Sequence, residues 1–181
     1  YIDNPIERTV QASATGSGQT ITYFNNKSAS IYGAEFEYLM QLKRLNENLN
    51  GFSFGINTSL MLTEAIVNKE RDGYFDTFEK RNLQGASNWL INSDLKYEFN
   101  IGENCKNTTS LIYSVYGDRI YAVGVAGNDH IYEKPFNKLD FVWNSNINKS
   151  WDLKFSVNNI LNPEYQRVLG NESKLTISES S

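Results

Sequence analysis

Six segments of the chain alternate apolar and polar residues with a period of two, and residues 51–62 show this pattern most clearly. One face of this segment carries Phe52, Phe54, Ile56, Leu60 and Leu62, together with Thr58. The other face carries Ser53, Gly55, Asn57, Ser59 and Met61. Because successive side chains of a strand point to opposite sides, the segment predicts a strand with one apolar and one polar face.

The same alternation predicts strands at 21–40, 88–99, 108–123, 138–148 and 151–158. The strand 108–123 is the least regular, and we expect Gly117 to break its register. Residues 1–18 are rich in Gly, Ser and Thr and predict a loop that follows the end of a strand, while the tail 159–181 shows no strand that would continue the pairing. The connections alternate in length, short at 43–50, 100–107 and 149–150 and long at 68–87 and 124–137.

This alternation of connection lengths is typical of outer-membrane β-barrels, which have short periplasmic turns and longer extracellular loops. Aromatic residues lie on the apolar face near the short turns, as an interfacial girdle requires: Tyr38, Phe52, Phe54, Tyr97, Phe99 and Trp151. The predicted spans place no charged residue on that face. The pattern favours an all-β fold of antiparallel transmembrane β-barrel strands; a soluble sandwich or meander whose apolar face is its core is the alternative.

Composition narrows the possible partners. The 181 residues have a net charge of −4 and 21% charged residues, so a nucleic-acid partner is not expected. Mean hydropathy is −0.49, which a barrel tolerates because half of each strand and all its loops are polar. No apolar run is long enough for a transmembrane helix. The single cysteine, Cys105, excludes an internal disulfide.

Four phrases in order go beyond a general strand pattern: SASIYGAEFEY (28–38), NLQGASNWLINSDLKYEF (82–99), YGDRIYAVGVAGNDHIYEKPFNKLDF (116–141) and WDLKFSVNNILNPEY (151–165). NPIER near the start is similar to the end of a preceding strand. Together they resemble the C-terminal strands of TonB-dependent outer-membrane receptors, notably those of Bacteroidetes, over nearly the whole chain.

The resemblance implies a barrel of 22 antiparallel strands around an N-terminal plug, taking up a siderophore, vitamin or glycan with energy transmitted by TonB. Residues 1–181 would be one C-terminal fragment of that barrel, without the plug, the TonB box or the closing strand with its terminal aromatic residue. The implied partners are outer-membrane lipid, the plug, TonB through the missing N-terminal region, and a surface lipoprotein or larger outer-membrane complex.

Two predicted long loops would face outward and contact a ligand, and their aromatic and charged residues are the candidates. These are Arg71, Tyr74 and Phe75 in the first loop and Asp129, His130 and Tyr132 in the second. Aromatic rings among charges suit glycan contact, and equally suit packing of one loop on the other. His130 is the only histidine and has no evident partners for a metal site.

The polar face carries charged residues that would line the lumen: Glu35, Glu37, Asp94, Lys96 and Glu98. The spacing of Glu35 and Glu37 along one strand suits an acid–base pair, but a place in the charged lining of a water-filled lumen is the better explanation for both residues. Cross-strand ion pairing is the ordinary explanation for Asp94, Lys96 and Glu98. No nucleophile with a supporting base is evident, so we expect neither an enzyme nor a bound cofactor.

The leading hypothesis is therefore a wall segment of a TonB-dependent transporter. A barrel without energy coupling, either porin-like or a subunit of a larger outer-membrane complex, would lack the plug and the TonB box. A soluble carbohydrate-binding β domain would bury the aromatic residues in a water-soluble monomer.

Overall fold

A computed structural model describes residues 1–12, 19–68, 76–148, 150–170 and 175–180, with side chains except at 9–12, 19–21 and 175–180. The described chain is all-β, with two single 3₁₀ turns and no α-helix. Within these ranges no helix has the length and apolar character needed to span a membrane.

Fourteen strands are numbered in chain order. They are β1 (Ile2–Asp3), β2 (Ile6–Ala12), β3 (Gln19–Asn25), β4 (Ser28–Gln41), β5 (Phe52–Ile66), β6 (Lys80–Arg81), β7 (Trp89–Ile101), β8 (Cys105–Tyr116), β9 (Arg119–Ala122), β10 (Ile131–Glu133), β11 (Phe136–Ile147), β12 (Trp151–Val157), β13 (Glu164–Leu169) and β14 (Leu175–Ser180). The 3₁₀ turns are Leu42–Arg44 and Glu47–Leu49.

The main sheet is an antiparallel meander in the order β1-β4-β5-β7-β8-β11-β12, with β6 paired to β5. A closed barrel is not formed by these strands, since β12 pairs only with β11 among the described residues. Two further sheets accompany it: the hairpin β2-β3, and the order β14-β13-β10-β9, which we call the loop sheet.

The register of the main sheet gathers the predicted apolar residues on one side, which we call the apolar face. One row of register partners runs from Phe52 through Tyr97, Thr109 and Trp143 to Phe155. The ring centroids of Phe52 and Tyr97 lie 4.2 Å apart and stack. Because directly paired residues of antiparallel strands share a face, the alternation read from single segments becomes one continuous apolar surface across the sheet.

The connections of the main sheet alternate as predicted, short at 42–51, 102–104 and 148–150 and long at 67–88 and 117–135. Since consecutive strands are antiparallel, the short connections lie at one end of the sheet, the turn end, and the long ones at the other, the loop end. The predicted single strand 108–123 is wrong: β8 stops at Tyr116, and beyond Gly117 the chain enters β9, which belongs to the loop sheet.

Three predictions about the ends of the chain were wrong. Residues 1–12 form two strands rather than a loop, and 21–40 is two strands separated at Asn26 and Lys27. At this break the pairing changes, because β3 pairs with β2 while β4 pairs with β5. The tail also contains strands: β13 pairs with β14 and with β10. Its residues were missed because they extend the loop sheet rather than the main meander.

The buried apolar residues lie at the loop end rather than on the apolar face. They are Ala29, Ala65, Val67, Ile120, Val123 and Val168. Ile120 and Val168 come from β9 and β13 and are both register partners of Tyr132 in β10. The described core is therefore a small cluster beneath the loops, and the apolar face of the main sheet has no covering layer among the described residues.

Candidate binding surfaces

The predicted lumen-lining residues share the face opposite the apolar one, which we call the polar face. Glu35 and Glu37 are exposed on β4, and on β7 Asp94 and Lys96 are half-buried while Glu98 is exposed. Glu37 is paired with Asn57, which is in turn paired with Asn92. The polar face is thus lined by acidic groups and amides over at least three strands.

The ion pairing on this face differs from the expected cross-strand ladder. The Lys96 ammonium lies 2.6 Å from a carboxylate oxygen of Glu98, two residues along the same strand. The cross-strand partners of Lys96 are Ser53 and Ser110, neither of which carries a charge. The expected cross-strand pairing is therefore wrong for Lys96, because its neighbours on both adjacent strands are serines.

The first long loop is only partly described. Arg71, Tyr74 and Phe75 lie outside the described residues. Beyond them, Thr77 joins this loop to the second one: its backbone N–H donates to the carbonyl of Gly124 at 2.9 Å, and its hydroxyl donates to the carbonyl of Asn128 at 2.7 Å. The two long loops therefore contact each other at the loop end.

His130 lies within this loop–loop contact and not at its surface. It is 3% exposed, and its Nδ1 accepts a hydrogen bond of 2.9 Å from the backbone N–H of Gly124. The Phe78 ring packs on the imidazole with centroids 4.5 Å apart, and Tyr132 meets it edge-on. Burial lowers the pKa of His130, and the positive charge of Arg81 acts in the same direction. This geometry favours a structural role for His130 over contact with a ligand.

Asp129 and Tyr132 flank the buried histidine. Asp129 is exposed, and its Oδ1 accepts a hydrogen bond of 2.7 Å from the His130 backbone N–H. Tyr132 is half-buried, and burial raises the pKa of its hydroxyl, as does the negative charge of Asp129. Their contact with a ligand stays a prediction.

A polar cluster that the sequence did not indicate joins the main sheet to the loop sheet. Arg119 donates from Nε and Nη2 to Oε1 of Glu133, at 2.9 and 2.6 Å, and the Tyr116 hydroxyl donates to the same oxygen at 2.7 Å. Glu133 is 3% exposed. Burial would lower the pKa of Arg119, but the hydrogen bonds and charge of Glu133 outweigh it and raise that pKa. The cluster holds β9 against β10.

A second buried ion pair ties the N-terminal hairpin to the first long loop. Arg81 Nη2 lies 2.9 Å from Oε2 of Glu7, and their side chains are 3% and 10% exposed. The Gln84 backbone N–H and the Asn26 side-chain amide also donate to the Glu7 carboxylate. A buried carboxylate needs this many donors to offset its desolvation. No sequence signal links Glu7 to Arg81, which is 74 positions away.

No set of three histidine, cysteine, aspartate or glutamate side chains in the described ranges is arranged to hold a metal ion. No family model matches the chain, and neither does any curated protein or solved structure. The resemblance to TonB-dependent receptors therefore depends on the sequence segments alone.

Proposed function

We propose that the chain forms part of the wall of an outer-membrane β-barrel transporter of the TonB-dependent type, with the apolar face toward lipid and the polar face toward the lumen. The loop end then lies on the ligand side, and the turn end at the opposite interface. The uptake of a siderophore, vitamin or glycan and the coupling to TonB belong to this proposal through the resemblance.

The apolar face is the observation that carries the proposal. Large apolar side chains are exposed on five of its strands: Tyr32, Phe36, Leu60, Leu62, Leu95, Leu111, Trp151, Leu153 and Phe155. Leu62 is 70% exposed and Tyr32 is 71% exposed. Soluble monomers rarely expose contiguous apolar patches of more than a few hundred Å². A lipid environment accounts for such a surface, because a barrel strand turns one apolar side outward along its whole length.

The distribution of polar groups supports the same orientation. The charged residues of β7, β8, β11 and β12, with Glu35 and Glu37 of β4, lie on the polar face, where Lys138 donates to Asp140 at 2.7 Å and Lys96 pairs with Glu98. Glu64 of β5 shares a face with Leu62, but it lies at the loop end, where it pairs with Lys80 at 3.7 Å. Stacked rings extend along the turn end of the apolar face, since Tyr97 also stacks on Phe99 with centroids 5.2 Å apart. Aromatic belts of this kind occur at membrane–water interfaces.

Cysteine labelling of adjacent positions tests the proposal in the protein as it occurs in cells. In a Cys105→Ser background, Leu60→Cys places a thiol on the apolar face and Ser59→Cys places one on the polar face of the same strand. In membrane fractions we expect Ser59→Cys to react with a membrane-impermeant maleimide. Leu60→Cys should react only with an apolar maleimide that dissolves in lipid.

A second pair, Phe155→Cys and Ser156→Cys, repeats the comparison on β12. Recovery of the protein in the soluble fraction, with the Leu60 and Phe155 positions inaccessible to both reagents, would overturn the proposal and support a soluble β domain. Reaction of these two positions with the impermeant reagent in intact membranes would overturn it as well.

A further inference from the structure

The loop sheet holds a guanidinium that pairs with no carboxylate of the described residues. Arg119, Glu133 and Arg167 are register partners in one row across β9, β10 and β13. Glu133 is the only carboxylate in that row, and Arg119 donates two hydrogen bonds to it. Arg167 forms no ion pair among the described residues, so the row carries one positive charge in excess.

Aromatic rings pack against the Arg167 guanidinium, but the described residues provide no hydrogen-bond acceptor for its N–H groups. The guanidinium carbon lies 3.8 Å from the centroid of the Tyr121 ring and 5.7 Å from that of Tyr165. Its Nε is buried with no hydrogen-bond partner, and the described residues supply no acceptor to the rest of the group. A buried donor left unpaired destabilises the folded chain unless another molecule or group offsets the cost.

We propose that Arg167 and Tyr121 form a binding site for the carboxylate or phosphate group of a small ligand at the loop end. A guanidinium stacked on a ring still presents its in-plane N–H groups, which match the oxygens of a carboxylate or phosphate in a two-pronged hydrogen bond. Arg119 in the same row already binds a carboxylate, with Nε and Nη2 both donating to the single oxygen Oε1 of Glu133. Tyr121 is 41% exposed and Arg167 is half-buried, so the pair borders solvent.

This inference depends on the proposed function only for the idea that the bound molecule is cargo, since binding itself requires no membrane. The two can therefore fail separately. Loss of ligand binding would leave the labelling pattern of the apolar face unchanged, and a soluble location would leave the Arg167 site in place.

The test uses saturation-transfer NMR with the purified full-length protein in detergent and three probes: glucuronate, glucose 6-phosphate and neutral glucose. We expect the two anions to bind more tightly than glucose, and the tighter of the two identifies the preferred group. Arg167→Gln should raise the dissociation constant for the anions at least about tenfold, and added salt should weaken their binding. Lys134→Gln is the matched control: it removes a neighbouring cation that already pairs with Asp118 at 2.7 Å, and it should leave the affinity unchanged.

Arg167→Lys distinguishes loss of the anion-binding site from unfolding of the loop sheet. It keeps the charge but loses the planar donors, so we expect anion binding to weaken severalfold while hydrogen exchange in β10 stays as in the parent protein. Equal affinity in the parent, Arg167→Gln and Arg167→Lys proteins would overturn the proposal. Equal binding of glucose and the anions would overturn it too.

Discussion

Gly55 and Asp94 are paired across β5 and β7, and the Asp94 carboxylate occupies the space that a side chain at Gly55 would fill. The glycine therefore makes room for an acidic group on the polar face. On the apolar face Gly117 has the same relation to Trp89, whose indole occupies the position of a missing Cβ. In both cases a large or charged side chain lies over a glycine of the neighbouring chain segment.

The Gly55–Asp94 relation predicts a coupled pair of substitutions. Gly55→Ala brings a methyl group against the carboxylate, which must rotate away, so we expect a loss of about 0.5–1 kcal/mol in the free energy of unfolding. In an Asp94→Ala background the same change should be neutral or stabilising, since alanine favours a strand over glycine. A double-mutant cycle by denaturant unfolding measures this coupling. Purely additive effects would show that Gly55 is not there to accommodate Asp94.

A substitution at Gly124 should destabilise the protein more than one at Gly55, because backbone atoms surround the position of its missing Cβ. A Cβ there would meet the carbonyl oxygen of Asn128 and lie 2.6 Å from the Asp129 carbonyl carbon. Peptide groups cannot rotate away as a side chain can, so Gly124→Ala should cost about 1–3 kcal/mol. Hydrogen exchange should locate the loss in the loop sheet and leave β7 and β8 protected. Ala126→Gly, at a residue with a φ of 54°, is the control and should stabilise the same loop slightly. Uniform loss of protection across the main sheet would contradict this assignment.

How far the sequence predicts this structure depends on how each strand finds its partner. Strands such as 51–62 have twelve residues of clean alternation and pair with the next strand in the chain, so a local pattern was sufficient. The loop sheet is built from short segments with mixed faces, and β10 has only three residues. Its partners β9 and β13 are separated from it by long or irregular connections. Local alternation therefore carried no signal for them.

The candidate surfaces also differ in how far local sequence predicts them. Glu37 and Asp94 were assigned to one face because strand alternation fixes the side on which a residue lies. His130 was expected at a loop surface, but whether a loop residue points inward depends on packing between two distant loops. The pairs Glu7–Arg81 and Arg119–Glu133 form only once the hairpin β2-β3 and the loop sheet have assembled. Pattern within one segment cannot reveal such contacts.

The buried histidine predicts a pH dependence confined to the loop end. Burial is the main cause of the lowered pKa of His130, and its Nδ1 must stay unprotonated to accept the Gly124 hydrogen bond. Because the folded pKa lies below the ordinary value of 6.5, this contribution to stability is complete above about pH 6.5 and is lost as the pH falls through the folded pKa. Hydrogen exchange of β10 at pH 7.5 and pH 5 should show the loss. His130→Asn, which keeps an acceptor close to the Nδ1 position but does not titrate, should remove most of this pH dependence; an unchanged profile would assign it to other groups.

The ion pair of Glu7 and Arg81 predicts a strong and asymmetric response to substitution. Arg81→Met leaves a buried carboxylate without its cation and should cost about 3–5 kcal/mol, measured by thermal or denaturant unfolding. Adding Glu7→Gln should recover much of the loss, because the buried charge is then gone. Lys80→Met is the control: its pair with Glu64, at 3.7 Å, is largely exposed, and its removal should cost no more than about 1 kcal/mol. Similar costs for Arg81→Met and Lys80→Met would show that burial does not determine the strength of the pair.

Leu111 and Ile112 give the most direct prediction about the orientation of the sheet, because they are adjacent on β8 and point to opposite faces. Leu111 is paired with Leu95 and Phe141 on the apolar face, whereas Ile112 is paired with Asp94 and Asp140 on the polar face. If the apolar face contacts lipid, Leu111→Lys should destabilise the membrane-inserted protein by about 2–4 kcal/mol, as a lysine near the bilayer midplane does. Ile112→Lys introduces the same residue between two carboxylates and should be tolerated. Outer-membrane insertion, followed by heat-modifiable gel migration, and urea unfolding in lipid vesicles measure the difference. Equal tolerance of both lysines, or a larger loss at Ile112, would show that the apolar face does not lie against lipid.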